Sequence, residues 1–243
     1  MSVERLQIER LGRRGEGVAE GAGHPLYVPY ALPGETVRAE VEGGHASLLA
    51  VEQASPARVV PFCTYFGRCG GCLLQHLEEG AYRAWKRELV VGALQQRGLA
   101  ADVAPLVDAH GDGRRRVALH VRKRDGVVTA GFMALRSHQL IDIATCPILV
   151  TALQRGPDVA RAIGAAAGDC DVNLTATLSG LDAYVKAERK LATRQLPQLA
   201  RLADELDLAR LTVNGETLAG RRLPQVVMGT ARVTLPPLSF LQA

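Results

Sequence analysis

The stretch Cys63-Thr-Tyr-Phe-Gly-Arg-Cys69-Gly-Gly-Cys72 places three cysteines in one short loop, and Cys146 lies far along the chain. The two glycines before Cys72 let the backbone wrap closely around a group placed between the sulfur atoms. Four thiolates are a ligand set for an iron-sulfur cluster or for a tetrahedral zinc ion. Zinc sites usually use two short pairs of ligands, so three clustered cysteines and one distant cysteine favour a four-iron cluster. We therefore predict a metal centre on Cys63, Cys69, Cys72 and Cys146.

The composition allows an RNA partner without requiring one. The chain has 243 residues, with 29 Lys and Arg against 25 Asp and Glu, which gives a net charge of +4. Aromatic residues make up only 4% of the chain, which argues against extensive base stacking on Phe, Tyr and Trp. Five cysteines, no signal peptide and no apolar run of transmembrane length predict a cytoplasmic protein with no membrane contact. We also expect a monomer.

Residues 1–53 predict five short strands separated by turns that contain glycine and proline. Val37, Ala39 and Val41 alternate with charged residues, which is the period of a half-buried strand. Five short strands with such turns predict a small OB-like barrel, a common platform for nucleic acids. The expected strands are Val3 to Leu11, Gly17 to Ala19, Leu26 to Val28, Glu35 to Val41 and Ala46 to Val51.

The rest of the chain predicts a β-rich α+β fold. We expect a cluster-binding loop over residues 54–77 and a central mixed α/β domain with an antiparallel sheet over residues 78–236. Asp125-Gly126 lies between two alternating apolar runs and predicts a hairpin. The remaining predicted elements include helices from Glu78 to Arg97, from Val150 to Ala167 and from Pro197 to Glu205, and a last strand from Val226 to Thr234.

Positive side chains concentrate on this hairpin and its entry. Such a cluster predicts contact with RNA phosphates. A second basic group, Arg13 and Arg14, lies beside the glycines of the predicted barrel and is a further candidate for phosphate contact. The residues predicted on the hairpin are Arg114, Arg115, Arg116, Arg122, Lys123 and Arg124.

Three further side chains have predicted roles away from the metal ligands. His76 follows the cysteine loop, and because four cysteines complete a ligand set, a structural or RNA-facing role is expected for it. Trp85 lies on the apolar side of the first predicted helix and is expected in the core. Cys170 is expected to be a small buried or half-buried thiol, since no His or Asp arrangement marks it as a nucleophile.

The C-x5-C-G-G-C run, followed by Gln75-His76 and later by Cys146-Pro147, resembles the cluster motif of the bacterial RNA uracil-5-methyltransferase family. The phrases Gly15-Glu-Gly17-Val-Ala and Val28-Pro-Tyr-Ala-Leu-Pro-Gly-Glu35 resemble the TRAM domain of that family. The resemblance implies a 4Fe-4S cluster on the four cysteines, an N-terminal RNA-binding TRAM barrel and a central domain. It also implies a C-terminal methyltransferase domain that binds S-adenosylmethionine.

Phe240-Leu-Gln242 resembles the phrase that opens the methyltransferase domain in this family. The resemblance implies that Gln242 lies near S-adenosylmethionine and that Phe240 lies near the target uracil. Residues 237–243 would then begin that domain, whose Rossmann-like remainder and catalytic cysteine are absent from this sequence. By itself this chain is expected to be inactive in methyl transfer.

The sequence is thus interpreted as the RNA-recognition and iron-sulfur portion of an S-adenosylmethionine-dependent RNA uracil-C5 methyltransferase. Its expected partner is a structured RNA, 23S rRNA or tRNA, that contains a target uridine. An alternative is a stand-alone RNA-binding module with a structural metal knot. A radical enzyme that splits S-adenosylmethionine would use three cysteines, usually as C-x3-C-x2-C. The five-residue first gap and the fourth cysteine disfavour that third interpretation.

Overall fold

The computed structural model describes residues 2–21, 23–108 and 111–241. The chain forms two compact units, Met1–Asp108 and Ala109–Ala243. This division differs from the predicted boundary at residue 78, because the first helix belongs with the N-terminal sheet. Among the described residues, no helix is both long enough and apolar enough to cross a membrane.

Six of the described strands form the sheet of the first unit. They are β1 (Ser2–Gln7), β2 (Arg10–Leu11), β3 (Gly17–Glu20), β4 (Pro25–Val28), β5 (Thr36–Glu42) and β6 (His45–Gln53), in the spatial order β1-β5-β6-β4-β3-β2. The alternation in β5 is confirmed, since Val37 and Ala39 are buried while Arg38 and Glu40 are exposed. The core contains Leu6, Ile8, Ala19, Leu26, Val28, Ala31, Val37, Ala39 and Ala46.

The single strand expected from Val3 to Leu11 is divided in two. The Ile8 N–H donates to the Glu35 carbonyl at 2.9 Å, whereas the Glu9 N–H donates to the Val18 carbonyl at 2.9 Å. The chain therefore leaves β5 and joins β3 within two residues, so β1 and β2 lie at the two edges of the sheet. Consecutive strands at opposite edges are typical of a sheet that curls towards closure. The OB-like barrel stays a prediction.

Helix α1 (Glu79–Gln95) ends the regular structure of the first unit and agrees with the predicted span to within two residues. The Glu78 carboxylate accepts the backbone N–H groups of Gly80 and Ala81 at 2.8 and 2.9 Å, which caps the helix N-terminus. Gly98 follows the helix with φ of +70°, as expected for a terminating glycine. Trp85 is half-buried, and every residue of α1 that the structure describes keeps some exposure. The helix thus contributes less core than expected.

Seven further described strands form the sheet of the second unit. They are β7 (Arg116–Arg124), β8 (Val127–Met133), β9 (Leu140–Asp142), β10 (Cys170–Thr177), β11 (Gly180–Ala187), β12 (Leu208–Val213) and β13 (Glu216–Gly220), in the order β13-β12-β11-β10-β7-β8-β9. The hairpin at Asp125-Gly126 is confirmed, with φ of +49° and +81° at its two turn residues. The predicted antiparallel sheet is in fact mixed. Strands β11 and β12 are parallel because a helix connects them.

Two helices and a small hairpin complete this unit. A short 3-10 turn (Thr151–Leu153) precedes α2 (Gly156–Ala167), where one helix from Val150 was expected, and α3 (Gln195–Glu205) connects β11 to β12. The single strand expected from Val226 to Thr234 is a hairpin of β14 (Gln225–Met228) and β15 (Ala231–Thr234), because Gly229 turns the chain with φ of +61°. Cys170 is fully buried, as predicted.

The approach of α2 to the sheet depends on Gly164. A Cβ atom built at this glycine would lie 2.3 Å from Val121 Cγ1 and 3.2 Å from Val128 Cγ1, both on the sheet below the helix. Gly92 in α1 is the opposite case, because no described atom other than the adjoining residues and backbone of its own helix lies within 4 Å of the position its Cβ would occupy. The same substitution at these two helical glycines should therefore have opposite effects.

We predict that Gly164→Ala lowers the melting temperature of the chain and that Gly92→Ala leaves it unchanged or raises it. Alanine favours a helix over glycine by about 1 kcal/mol. At Gly164 this gain is outweighed by overpacking, which costs about 1–3 kcal/mol. Thermal unfolding followed by circular dichroism compares the two variants, and a Gly164→Ala variant as stable as Gly92→Ala would contradict the close packing.

Candidate metal centre and nucleic-acid interface

A buried ion pair anchors the chain just before the cysteine loop. Glu35 is fully buried, and its Oε1 and Oε2 atoms lie 2.5 Å from Arg58 Nε and 2.8 Å from Arg58 Nη2. The same carboxylate accepts the backbone N–H groups of Leu32 at 2.8 Å and Ser55 at 3.2 Å. Arg58 Nη2 also donates to the Tyr30 carbonyl at 2.8 Å. The pair thus joins the turn before β5 to the segment after β6.

The surroundings of Glu35 favour its ionised form. Burial alone would raise the pKa of Glu35, but the hydrogen bonds from Arg58 and from two backbone N–H groups outweigh burial, so the pKa is lowered. The ionised carboxylate therefore stabilises the fold above the ordinary pKa of 4.5. That contribution is lost as the pH falls through the lowered, folded-state pKa.

The cysteine loop is closed at its base by backbone hydrogen bonds. The Val59 N–H donates to the His76 carbonyl at 2.9 Å, and the Glu78 N–H donates to the Ala57 carbonyl at 2.9 Å. Inside the loop, the Cys69 N–H donates to the Tyr65 carbonyl at 2.8 Å. Residues 59–76 therefore leave and return at one place in the first unit, and the loop presents its cysteines from a fixed base.

Two rings of this loop, Phe66 and His76, form an aromatic cluster with Tyr30. Phe66 packs against Tyr30 and His76, with ring centroids 5.2 and 5.1 Å away. His76 is fully buried, and neither of its ring nitrogens has a hydrogen bond of ordinary geometry to the part of the chain that the structure describes. Burial, and next the positive charge of Arg58, lowers the pKa of His76 to about 4. His76 is thus a neutral structural residue, and the RNA-facing role considered for it is wrong.

The three thiols of the loop influence one another. Cys63, Cys69 and Cys72 are each half-buried, and Cys69 Sγ accepts the Gly71 N–H at 3.4 Å. Burial raises the pKa of Cys69 most, and Cys72 and Cys63 raise it further because neighbouring thiolates would repel one another. A bound cation would relieve this repulsion, so the donor chemistry fits a thiolate-ligated metal centre.

The fourth predicted ligand, Cys146, belongs to the second unit. It is half-buried in the turn after β9, and its carbonyl accepts Gln154 Nε2 at 3.1 Å. Over the described ranges, no group of three or more His, Cys, Asp and Glu side chains is arranged to hold a metal ion. The four-cysteine centre therefore stays a prediction.

The predicted basic patch divides into two groups at the ends of β7. Arg114 to Arg116 lie at its beginning and Arg122 to Arg124 at its end. At about 3.4 Å per residue, the six residue-to-residue steps from Arg116 to Arg122 span about 20 Å. The six charges thus cannot act as one compact phosphate site.

The two groups also differ in how far they are neutralised. In the first group, Arg116 donates to Asn173 Oδ1 at 3.1 Å and lies over the Phe240 ring at 6.0 Å. Within the described part of the chain, the side chains of Arg114 and Arg115 make no hydrogen bond or ion pair. In the second group every cation has one: Arg122 pairs with Glu188 at 2.9 Å, Arg124 with Asp169 at 2.7 Å, and Lys123 Nζ donates to the Ala165 carbonyl at 2.9 Å.

Two cations that the sequence analysis did not select lie beside the second group. Arg189 and Lys190 line the same cavity as Lys123 and Arg124. The signal available in the sequence was the short run Lys186-Ala-Glu-Arg189-Lys190, which is interrupted by a carboxylate and separated from the hairpin by about 60 residues. Only the pairing of the strands brings the two segments together.

The other predicted site residues have different surroundings. Arg13 donates to Gln96 Oε1 at 2.7 Å, and the side chains of Arg13 and Arg14 are both exposed. Phe240 keeps 72% of its surface exposed, and Gln242 lies outside the described residues.

The sequence is similar to bacterial RNA methyltransferases, although no protein-family model matches it. It is 41% identical over 242 residues to an uncharacterized RNA methyltransferase of Brucella suis, covering 98% of this chain and 58% of that protein. It is 42% identical over 258 residues to another from Caulobacter vibrioides, covering 99% and 61%. It is 30% identical over 258 residues to a 23S rRNA uracil-C5 methyltransferase of Shewanella amazonensis, covering 98% and 58%. The chain therefore spans about three fifths of the length of these relatives.

We predict that Arg58→Met destabilises the first unit by about 3 kcal/mol, because it leaves the buried Glu35 carboxylate without its charged partner. The matched control is Arg5→Met, which breaks the exposed pair of Arg5 with Glu52 and should cost at most about 1 kcal/mol. Trp85 is the only tryptophan of the sequence and lies in the first unit, so its fluorescence during urea unfolding reports on that unit. Equal losses in the two variants would contradict the anchoring role of the pair.

Proposed function

This chain is a homologue of bacterial RNA methyltransferases, and from that premise we propose that it forms the RNA-recognition and metal-binding portion of an RNA uracil-C5 methyltransferase. The observation that carries the proposal is the 30% identity to a 23S rRNA uracil-C5 methyltransferase along 98% of the chain. Two separate parts of the sequence, the cysteine loop and the segments that resemble a TRAM domain, also resemble the same family and support the proposal.

The proposed substrate is a uridine in structured RNA, and 23S rRNA is preferred over tRNA because two relatives are named as 23S rRNA uracil-C5 methyltransferases. Methylation at C5 requires access to a face of the base that stacking conceals. Enzymes that modify a base therefore take it out of the stack. The part of the work proposed for this chain is to hold the surrounding RNA, in the cytoplasm, while the base is presented.

We propose S-adenosylmethionine as the methyl donor. It would be bound mainly by the part of the relatives' sequence that this chain does not cover. Gln242 is proposed to lie near the cofactor and Phe240 near the target uracil. The exposed ring of Phe240, supported from one side by Arg116, is compatible with contact to a base. This chain by itself is proposed to bind RNA without transferring a methyl group.

A 4Fe-4S cluster on Cys63, Cys69, Cys72 and Cys146 is proposed as the metal centre. The support is a loop that is fixed at its base and carries three half-buried thiols; burial, and after it the neighbouring thiols, raise the pKa of Cys69. When bound, such a cluster supplies a cross-link between segments far apart in the sequence, and closing a loop of that length restricts the unfolded chain. Four protein ligands leave no open position, so the proposed role is structural.

Binding and methyl-transfer assays test the proposed function. We expect the purified chain to bind a 23S rRNA fragment more tightly than a DNA duplex of equal length, because the proposed substrate is RNA. With isotopically labelled S-adenosylmethionine, it should transfer no methyl group to the same fragment. Equal binding to both nucleic acids would contradict RNA selection, and labelled RNA would contradict the proposed division of labour.

Metal analysis of the chain purified without oxygen tests the cluster. We expect about four irons and a broad absorption band near 400 nm, both of which Cys72→Ser should lose together with thermal stability. The matched control is Cys170→Ala, which removes the fully buried fifth cysteine and should keep the iron. One bound zinc in the wild-type chain, or full iron content in Cys72→Ser, would contradict the four-iron assignment.

A further inference from the structure

A cavity of about 420 Å³ lies in the second unit, at one end of the sheet. Three strand ends meet there, because Cys170 pairs with Val121 of β7 on one side and with Ala187 of β11 on the other. The side chains beyond these pairs therefore come together although they are far apart in sequence. The lining residues are Lys123, Arg124, Ala167, Gly168, Asp169, Arg189, Lys190, Leu191 and Gln195.

Positive charge dominates this cavity. Its lining contains four cations and a single carboxylate, Asp169. That carboxylate accepts the Lys123 backbone N–H at 2.8 Å and Arg124 Nη1 at 2.7 Å. These two hydrogen bonds lower the pKa of Asp169, so it remains ionised and offsets Arg124 alone. The net charge of the lining is therefore strongly positive.

Two of the four cations have a structural task and two do not. Lys123 Nζ donates to the Ala165 carbonyl near the C-terminus of α2, and Arg124 is held by Asp169. Arg189 and Lys190 are exposed, and neither side chain makes a hydrogen bond or ion pair to a described residue. Their ammonium and guanidinium groups are therefore available to a ligand.

The chemistry of the lining selects the phosphate part of a nucleic acid. None of the described lining residues is aromatic, so the cavity provides no surface on which a base would stack. Its neutral residues are small or aliphatic, apart from Gln195, whose amide groups already bond to the Ala166 carbonyl and the Ala192 N–H. Lys and Arg side chains without base contacts fix the position of an RNA strand and carry no sequence information.

We propose that this cavity binds the phosphate backbone of the substrate RNA, with Arg189 and Lys190 as the residues that contact it. This inference rests on the proposed function and adds a second RNA contact, at the end of β7 opposite to Arg114 and Arg115. Because the contact is made to phosphates, it should strengthen binding to RNAs of different sequence equally.

The test is the salt dependence of binding to a fluorescent single-stranded oligouridine and to a 23S rRNA hairpin. The variant Arg189→Ala/Lys190→Ala should weaken binding to both RNAs. It should also reduce the slope of log K against log salt concentration by about 1.4, at ~0.7 for each lost contact to a single strand. The matched control is Arg201→Ala/Arg232→Ala, which removes two exposed cations of the same unit outside the cavity and should leave the slope unchanged.

The possible outcomes separate this inference from the proposed function. If the wild-type chain binds neither RNA, both the proposed function and this inference are overturned. If the wild-type chain and the Arg189→Ala/Lys190→Ala variant bind RNA with equal affinity, only the inference about the cavity is overturned. Equal weakening by the control pair also overturns it, because the effect would then be one of net charge. If inorganic pyrophosphate binds to the chain without competing with RNA, the cavity is a site for a small anion and the inference is overturned. Circular dichroism melts check folding, and the single variants Arg189→Gln and Lys190→Gln replace a double variant that fails to fold.

Discussion

The buried contact between Glu35 and Arg58 is the interaction on which the first unit depends. Removing a carboxylate and a guanidinium from water is costly, and this cost is offset only when the geometry is good and the remaining polar atoms are bonded. Here the two carboxylate oxygens and the guanidinium are hydrogen-bonded to each other. Both groups are also hydrogen-bonded to backbone groups of the first unit. The turn before β5 and the entry to the cysteine loop consequently cannot move independently.

The second unit is organised by a different constraint, the close contact of α2 with the sheet. Gly164 allows the helix backbone to approach Val121 and Val128 more closely than any side chain would permit. The same sheet determines where its charged residues meet, since the strand pairing around Cys170 aligns the ends of β7, β10 and β11. Packing on one face of the sheet and charge at its end thus follow from one arrangement of strands.

Local signals in the sequence predicted most of the helices and turns. The alternation around Ala39, the Asp125-Gly126 turn and the glycine after α1 each act over a few residues, and the structure has them where expected. Long-range pairing was not predictable in this way. The division of the first strand depends on bonds from Ile8 and Glu9 to two different strands, and the parallel β11–β12 pair depends on a helical connection.

The same distinction explains the outcome for the candidate site. The clustered thiols share one loop and were found from spacing, whereas the place of Cys146 relative to them stays a prediction. Charges close in sequence proved to be far apart along the extended β7, and the cations beside its distal end, Arg189 and Lys190, come from the segment that follows β11. Spacing along the chain is therefore a good guide to a loop and a poor guide to a surface.

The division of the N-terminal strand has a consequence for synthesis on the ribosome. Residues of β1 emerge first, but their partners in β5, from Thr36 to Val41, are translated roughly 35 positions later. The hairpin of β5 and β6, by contrast, has both strands joined by the short Gly43-Gly44 turn and can form by itself as it emerges. Strand β1 is therefore synthesised before the strand it pairs with, and its backbone edge stays unpaired until β5 has followed.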